Sequence, residues 1–417
     1  MLAKIMQRHG GLVRSYTTTL SGSAGRLLIS LIYFISLANS LSIGDFGLFA
    51  TASAVGVVLS RIVSFGFVSP LYRVATVKHR ILGTYYAGYL AAAFLSLPVL
   101  ALAAGGVFTL FFKGQISAAA FAAIVIAEAI LWRGLEVVAI INNGLNRFGR
   151  AAILVVAGTM SRAVFAFGFS QTANHSLDQW SLCYLIANGL AFALALGVYL
   201  PRRRLRFRAK LYWRRLKDSM WTAGAEILFY VQMELDKLAV LSIGGAELAG
   251  IYAIVMRLAD LTAVPIRSFN MLLVQKLMRM PQSLKSLAAR LGIECLIFAI
   301  SALGLAALSA LLWFYPNALG RNVSVISGLL ALAIAVPGFR NIVEYHAELL
   351  YARGQTGARM LNLGLLAALK MLLLVFVLSS APQTQTWLLQ MNGVFAVLWL
   401  CSAVLTYSAM RMAPRRI

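Results

Sequence analysis

Acidic residues are scarce in this 417-residue chain, which has 13 Asp and Glu against 37 Lys and Arg and a net charge of +24. Charge of either sign is uncommon at 12% of residues, while 61% are hydrophobic and the mean hydropathy is +0.82. So little polarity cannot cover a water-exposed surface, which excludes the soluble globular classes. Cysteine is rare too: Cys183, Cys295 and Cys401 are scattered through apolar stretches. That spacing excludes a disulfide framework or a zinc site and reads as small core hydrophobes. The sequence holds no GxxxxGK[ST], no HExxH and no CxxC pair, so it offers neither an ATP cradle nor a metal site, and no resident cofactor is expected.

What is present is a succession of apolar stretches of about 20 residues, the length that crosses a hydrocarbon core as an α-helix. They run roughly over 18–40, 47–70, 84–110, 117–141, 151–170 and 180–200, then 219–243, 250–275, 287–314, 323–348, 360–380 and 387–409. The expected fold is an all-α polytopic membrane protein of twelve transmembrane helices. The first stretch follows a basic segment but is longer than the ~7–15 residues of a secretory core, so it is expected to stay as the first span.

Between the sixth and seventh stretches lies PRRRLRFRAKLYWRRLKD, residues 201–218, with nine cations and the single acid Asp218. It divides the chain into a lobe over 1–200, a basic connector over 201–218 and a lobe over 219–417. Its interleaved Phe207, Tyr212 and Trp213 suggest an amphipathic helix lying on anionic headgroups. Placement of the other cations sets an orientation, because Lys and Arg are retained on the cytoplasmic side. The two termini and the even-numbered loops hold 26 of the 37, and the odd-numbered loops hold only Lys113 and Arg321. Both termini are therefore expected in the cytoplasm, and the positive charge is explained without nucleic acid.

The halves carry related motifs. Ser42-Ile43-Gly44 followed by Gly47-Leu48-Phe49-Ala50 recurs as Ser242-Ile243-Gly244 followed by Gly250-Ile251-Tyr252-Ala253. Ala139 to Gly149 aligns without gaps on Ala347 to Gly357, each at the turn after the fourth stretch of its half. Matching turns on one side imply parallel six-helix repeats, a transporter design with the substrate path at the repeat interface. The alternative is ordinary use of glycine at helix ends.

Nine cations fall within the stretches: Arg26, Arg61, Arg133, Arg162, Lys237, Arg257, Arg267, Arg340 and Lys370. At ~3 kcal/mol each, placing all nine against lipid would cost on the order of 25 kcal/mol. Most must face protein or a water-filled cavity, although Arg26 lies near a helix end and can snorkel. Spacing of three or four residues pairs Arg133 with Glu136, Arg257 with Asp260, and Arg340 with Glu344. Arg61, Arg162, Arg267 and Lys370 have no acid within four residues, which makes them substrate candidates, with interhelical bonds to Glu128, Glu226 or Glu234 as the alternative. Arg pairs favour phosphate and carboxylate, because the planar guanidinium binds two oxygens at once. The membrane-deep acids Glu128, Glu226, Glu234, Asp236, Asp260, Glu344 and Glu348 are candidates for ion coupling. Within the close group Glu344, His346 and Glu348, the histidine is expected to project away from the acids.

Gly44-Asp45-Phe46-Gly47-Leu48-Phe49-Ala50 and Gly66-Phe67-Val68-Ser69-Pro70-Leu71-Tyr72-Arg73 resemble the first hairpin of bacterial polysaccharide flippases. These belong to the multidrug/oligosaccharidyl-lipid/polysaccharide exporter superfamily. Asn143-Gly144-Leu145-Asn146-Arg147-Phe148-Gly149 resembles the family's turn between fourth and fifth spans, and Asp236-Lys237 with Gly250-Ile251-Tyr252 resembles the opening of its second lobe. The resemblance implies a V-shaped pair of six-helix lobes around a cationic central cavity. It also implies that undecaprenyl-pyrophosphate-linked oligosaccharide moves from the cytoplasmic to the periplasmic leaflet, driven by a proton or sodium gradient.

The resulting expectation is a non-enzymatic secondary flippase of the bacterial inner membrane serving surface polysaccharide biosynthesis. Its partners would be the bilayer, the lipid-linked oligosaccharide, and a polysaccharide polymerase with its export machinery. Arg61, Arg162, Arg267, Arg133, Arg340, Arg257, Lys370 and Arg26 would line the cationic cavity. The alternatives are a multidrug antiporter of the same superfamily, expected to show a cavity of acids and aromatics, and a non-transporting scaffold of a glycan-assembly complex, expected to show every deep Arg paired.

Overall fold

The structure is a computed structural model and describes residues 25, 27–279, 287–380 and 384–411. Arg26, expected near the site, lies outside the described residues, as do most of the N-terminal segment and the last six residues. Among the described residues the chain is helical, with no strand.

The helices are α1 (Leu27–Ser40), α2 (Ile43–Leu59), α3 (Val68–Val77), α4 (Leu82–Val107), α5 (Ala118–Ile126), α6 (Arg133–Gly144), α7 (Phe148–Ser170), α8 (Leu177–Leu194) and α9 (Ala209–Glu234). After them come α10 (Asp236–Arg279), α11 (Leu287–Phe314), α12 (Arg321–Ser324), α13 (Ser327–Leu330), α14 (Val336–Ala352), α15 (Thr356–Ser380) and α16 (Thr384–Arg411). A π-helical turn, Ala127–Trp132, joins α5 to α6 in one continuous stretch. Serines start several helices: the Oγ atoms of Ser42, Ser117 and Ser176 accept the backbone N–H of Asp45, Ala120 and Gln179 at 3.0, 3.1 and 3.3 Å. Each satisfies a donor that the first helical turn leaves open.

Among the described residues, seven helices are long and apolar enough to cross a bilayer, and α14 with the short turns before it makes an eighth, bent by 48°. Gly245, at φ 79°, breaks α10 so that one of the seven holds two stretches. With α1, α2–α3 and α5–α6, twelve helical stretches follow one another as expected. Their outer faces carry the apolar side chains. On α4, Phe94, Leu95 and Leu102 are exposed while Tyr85, Tyr89 and Ser96 are buried, the arrangement that lipid as solvent dictates. Cys295, expected in a core, likewise faces outward from α11, because an apolar side chain gains nothing by leaving a hydrocarbon surroundings for the protein interior.

The second stretch, expected as one span over 47–70, is interrupted. Ser64 and Phe65 take left-handed φ of 63° and 47°, followed by Gly66 at 74°. The Ser64 N–H released from the helix donates to Ser96 Oγ at 3.0 Å. Gly66 is required there, since a Cβ would stand 2.2 Å from the Ser219 carbonyl of α9.

The chain divides into two compact units at Gly250. In residues 29–250, α2 packs on α5 and α8, α7 lies between α6 and α8, and α9 closes over the break after α2. In residues 251–417, α14 sits among α11, α15 and α16. Each unit contains one copy of the repeated turn, and the copies match in backbone detail. Asn146 and Gly354 occupy the same repeat position and both are left-handed, at φ 59° and 70°. The following residues, Arg147 and Gln355, donate their N–H to the carbonyls of Asn142 and Leu350 at 2.8 and 3.0 Å, the bond pattern that closes a helix C-terminus. Each turn is also tied to the end of the sixth helix of its half. Asn142 Nδ2 donates to the Tyr199 carbonyl at 3.0 Å, and Gln355 Nε2 to the Ala409 carbonyl at 2.8 Å.

The basic segment is not helical at its start. Residues 201–208 are irregular and α9 begins at Ala209. Pro201 removes a donor and four arginines follow within six residues, so the chain leaves α8 without a continuing ladder.

Candidate functional site

The unit of residues 29–250 contains two ion-paired clusters. In the first, Arg61, just after α2, and Arg133, at the start of α6, converge on Glu136. Their Nη1 atoms lie 3.3 and 3.0 Å from Glu136 Oε2. Glu226 of α9 takes the other arm of Arg133 at 3.2 Å. Tyr230, one turn further along α9, sets its ring 3.9 Å from the Arg61 guanidinium carbon, a contact that favours the cation. Both arginines are buried, and the Nε–H of each has no hydrogen-bond partner.

The second cluster is built around Glu128, which is 3% exposed. The π-helical turn brings it against three other helices. Ser53 Oγ of α2 donates to it at 2.8 Å, Arg162 Nη2 of α7 reaches it at 3.2 Å, and the Tyr184 hydroxyl of α8 donates to it. Arg162 also donates to Asn188 Oδ1 through Nε and Nη2, at 2.9 and 2.7 Å. The Trp132 ring lies 3.7 Å from its guanidinium carbon.

In residues 251–417, Glu344 of α14 occupies the repeat position of Glu136, three residues before the aligned turn segments in each half. Arg267 Nε of α10 lies 3.0 Å from Glu344 Oε1. Arg340 Nη1 lies 2.9 Å from Asp260 Oδ1, and Arg267 Nη2 lies 3.8 Å from that same oxygen. The Arg267 side chain is 47% exposed and that of Arg340 10%. Both units thus hold a glutamate at one repeat register on the fourth helical stretch. In both, it is met by an arginine from the second stretch, with another arginine about a turn before it.

These geometries change several expectations. Arg61, Arg162 and Arg267 have no acid nearby in sequence, yet each meets a carboxylate from another helix. The proposed alternative of an interhelical bond holds for Arg162, with Glu128. Asp260 and Glu344, expected to pair along their own helices, meet Arg340 and Arg267 across helices. The expected pair Arg133–Glu136 is present.

The remaining candidates are dispersed. Lys237 pairs with Glu234, and Asp236 accepts the Lys237 backbone N–H at 2.9 Å. Glu348 pairs with Arg359 at 3.1 Å. Arg257 is half-buried on α10, and Lys370 is buried with its Nζ 5.4 Å from the Phe395 ring centroid. His346 points to neither Glu344 nor Glu348. Its Nε2 lies 3.0 Å from Glu294 Oε1 and its Nδ1 3.1 Å from Ser402 Oγ.

Glu294 escaped the sequence reading. It is 3% exposed on α11 and also accepts the Trp399 Nε1–H at 3.0 Å and the Tyr407 hydroxyl. The available signal was an acid inside an apolar run, the same one that marked the other deep carboxylates.

No family model and no curated protein matches the sequence. Solved structures do match in fold. An inward-facing multidrug resistance MATE family transporter of the MOP superfamily superposes with a TM-score of 0.67 at 12% identity, over 94% of this chain and 96% of the other. A MOP superfamily transporter from Pyrococcus furiosus, described as having a binding pocket of reverse polarity, gives 0.61 at 16% identity, over 96% and 94%. The lipid II flippase MurJ in an inward closed conformation gives 0.61 at 12% identity, over 95% and 88%.

The fold is that of the MOP-superfamily transporters. The chain is accordingly a multi-pass membrane protein, and the paired charges described above lie inside helical units built for a bilayer. A guanidinium group has planar donor pairs whose geometry suits a carboxylate or phosphate.

Proposed function

We propose that the protein is a secondary flippase that moves undecaprenyl-pyrophosphate-linked oligosaccharide from the cytoplasmic to the periplasmic leaflet of a bacterial inner membrane, for surface polysaccharide assembly. Alternating access would be driven by a proton or sodium gradient, with the deep carboxylates as coupling candidates. The observation that carries this reading is the repeat-related pair of arginine clusters around Glu136 and Glu344. Arg61 and Arg133 retain unpartnered buried donors, and Arg267 is open to an entering ligand. A pyrophosphate supplies several charged oxygens to such donors, and the Arg fork binds two at once. Among the structural relatives, one is a lipid II flippase and another carries a pocket of reverse polarity; both descriptions accord with a phosphorylated lipid cargo. The cationic segments, 201–218 above all, support an orientation with both termini and the loading side in the cytoplasm.

A second reading has its own support. Arg61, Arg133, Arg162, Arg267 and Arg340 all meet carboxylates, which is what a non-transporting scaffold of a glycan-assembly complex would show. Deleting the gene in its host separates the two. A flippase leaves completed lipid-linked oligosaccharide accumulating on the cytoplasmic leaflet, and a variant with Arg267→Ala fails to clear it. A scaffold leaves the leaflet distribution unchanged while polymer yield falls.

A further inference from the structure

We infer that residues 201–206, with the adjoining ends of α4, α6 and α8, form a binding site for an anionic glycerophospholipid, distinct from the arginine clusters above. A cavity of about 160 Å³ opens here, lined by Leu82, Tyr86, Ile141 and Leu196 and by Arg202 and Arg203, which are exposed and so form its rim. It is too small for a cargo headgroup, since pockets for drug-sized ligands begin near ~300 Å³. An apolar wall under a cationic rim matches the start of an acyl chain below a phosphate.

The cations are held rather than trailing. The Tyr212 hydroxyl donates to the Thr84 carbonyl at 2.7 Å and lies 3.0 Å from the Arg206 carbonyl. The chain crosses α4 so closely that a Cβ on Gly83 would stand 2.2 Å from the Arg204 carbonyl. A third cation is fixed alongside, with Arg150 Nη2 donating to the Val198 carbonyl at 2.7 Å. From 201 to 217 the sequence has no acid, so no carboxylate of this segment competes for the rim. Leu205, Phe207 and Trp213 are exposed beside these arginines, the mix of apolar and basic groups that settles at a headgroup layer. The orientation proposed above decides only the leaflet, which would be the cytoplasmic one.

The test is lipid retention by the purified full chain in detergent, read by native mass spectrometry and therefore independent of transport. Phosphatidylglycerol and phosphatidylcholine with identical acyl chains are compared. The wild type should retain phosphatidylglycerol about thirtyfold more tightly, because two cations meet its net negative charge whereas the choline of phosphatidylcholine cancels its phosphate charge. Arg202→Gln with Arg203→Gln should abolish that preference, and Arg202→Lys with Arg203→Lys should keep most of it. Leu196→Trp, which fills the cavity, should reduce retention of both lipids. Arg214→Gln with Arg215→Gln, on α9 away from the rim, should leave the preference intact. Equal retention of the two lipids by the wild type would overturn the site, and so would an equal loss from the Arg214 and Arg215 pair, which would mean diffuse attraction only. Displacement of phosphatidylglycerol by an unglycosylated polyprenyl pyrophosphate at equal concentration would overturn the assignment to a resident phospholipid.

Discussion

Arg162 and Glu128 show how a charge is tolerated at membrane depth: the guanidinium has a carboxylate, an amide oxygen and an indole face, and the carboxylate has two hydroxyl donors. Removing one partner of such a buried pair strands the other, at a typical cost of about 3–5 kcal/mol, whereas replacing both with apolar residues of similar size is often near neutral. Arg162→Met should therefore lower the unfolding midpoint strongly, and adding Glu128→Leu should recover most of the loss. Transport by the double variant then reports on function apart from folding. Recovery of stability without transport marks the pair as functional, and recovery of both marks it as structural. Glu294 has three donors and a similar dependence. Glu294→Ala should destabilise by about 2 kcal/mol or more, judged from hydrogen bonds to charged groups, as measured by unfolding in mixed detergent. His346→Asn should cost less, because the Trp399 and Tyr407 donors remain. Such partners were illegible in the sequence for a definite reason: spacing of three or four residues finds only neighbours on one helix, whereas Glu136 with Arg61 and Glu344 with Arg267 meet across helices.

At the scale of helices, the repeated motif has a packing role. A Cβ on Gly47 would stand 2.3 Å from the Ala246 carbonyl, and one on Gly250 would stand 2.0 Å from the Ile43 carbonyl. The two glycines hold matching repeat positions, so α2 and the early part of α10 touch through the same residue of each motif copy, in a contact that is nearly self-complementary. Close backbone approach through small residues is the usual means of helix association in lipid. Gly47→Val and Gly250→Val should each cost more stability than Gly224→Val, whose Cβ would meet nothing within 4 Å; thermal midpoints in detergent check the ranking. The repeated turn was legible because an unbroken run of eleven aligned residues carries a left-handed position in each half, Asn146 and Gly354. The break over Ser60 to Phe67 was not, because Ser60, Arg61 and Ser64 do not by themselves end a helix and the cause, the Ser219 carbonyl against Gly66, belongs to a distant segment. The helical start expected for the basic segment failed similarly. Amphipathic composition fits a helix, but Tyr212 and Gly83 hold residues 201–208 as a strap over α4.

For the whole molecule, run length and composition were enough to specify an all-helical membrane protein of twelve stretches, since a bilayer admits few other folds. Cargo is a different matter, because neighbours with one fold include multidrug transporters and a lipid flippase and fold alone does not fix function. The cargo reading rests instead on the repeat-related arginine–glutamate clusters around Glu136 and Glu344. The most direct measurement is transbilayer movement of undecaprenyl-pyrophosphate-linked oligosaccharide by the purified protein in liposomes carrying an imposed ion gradient. The account predicts gradient-dependent movement that falls at least tenfold in Arg267→Ala and in Arg61→Ala, in variants that remain folded. Movement at the wild-type rate in both variants, or none in the wild type while an organic cation is carried, would contradict it.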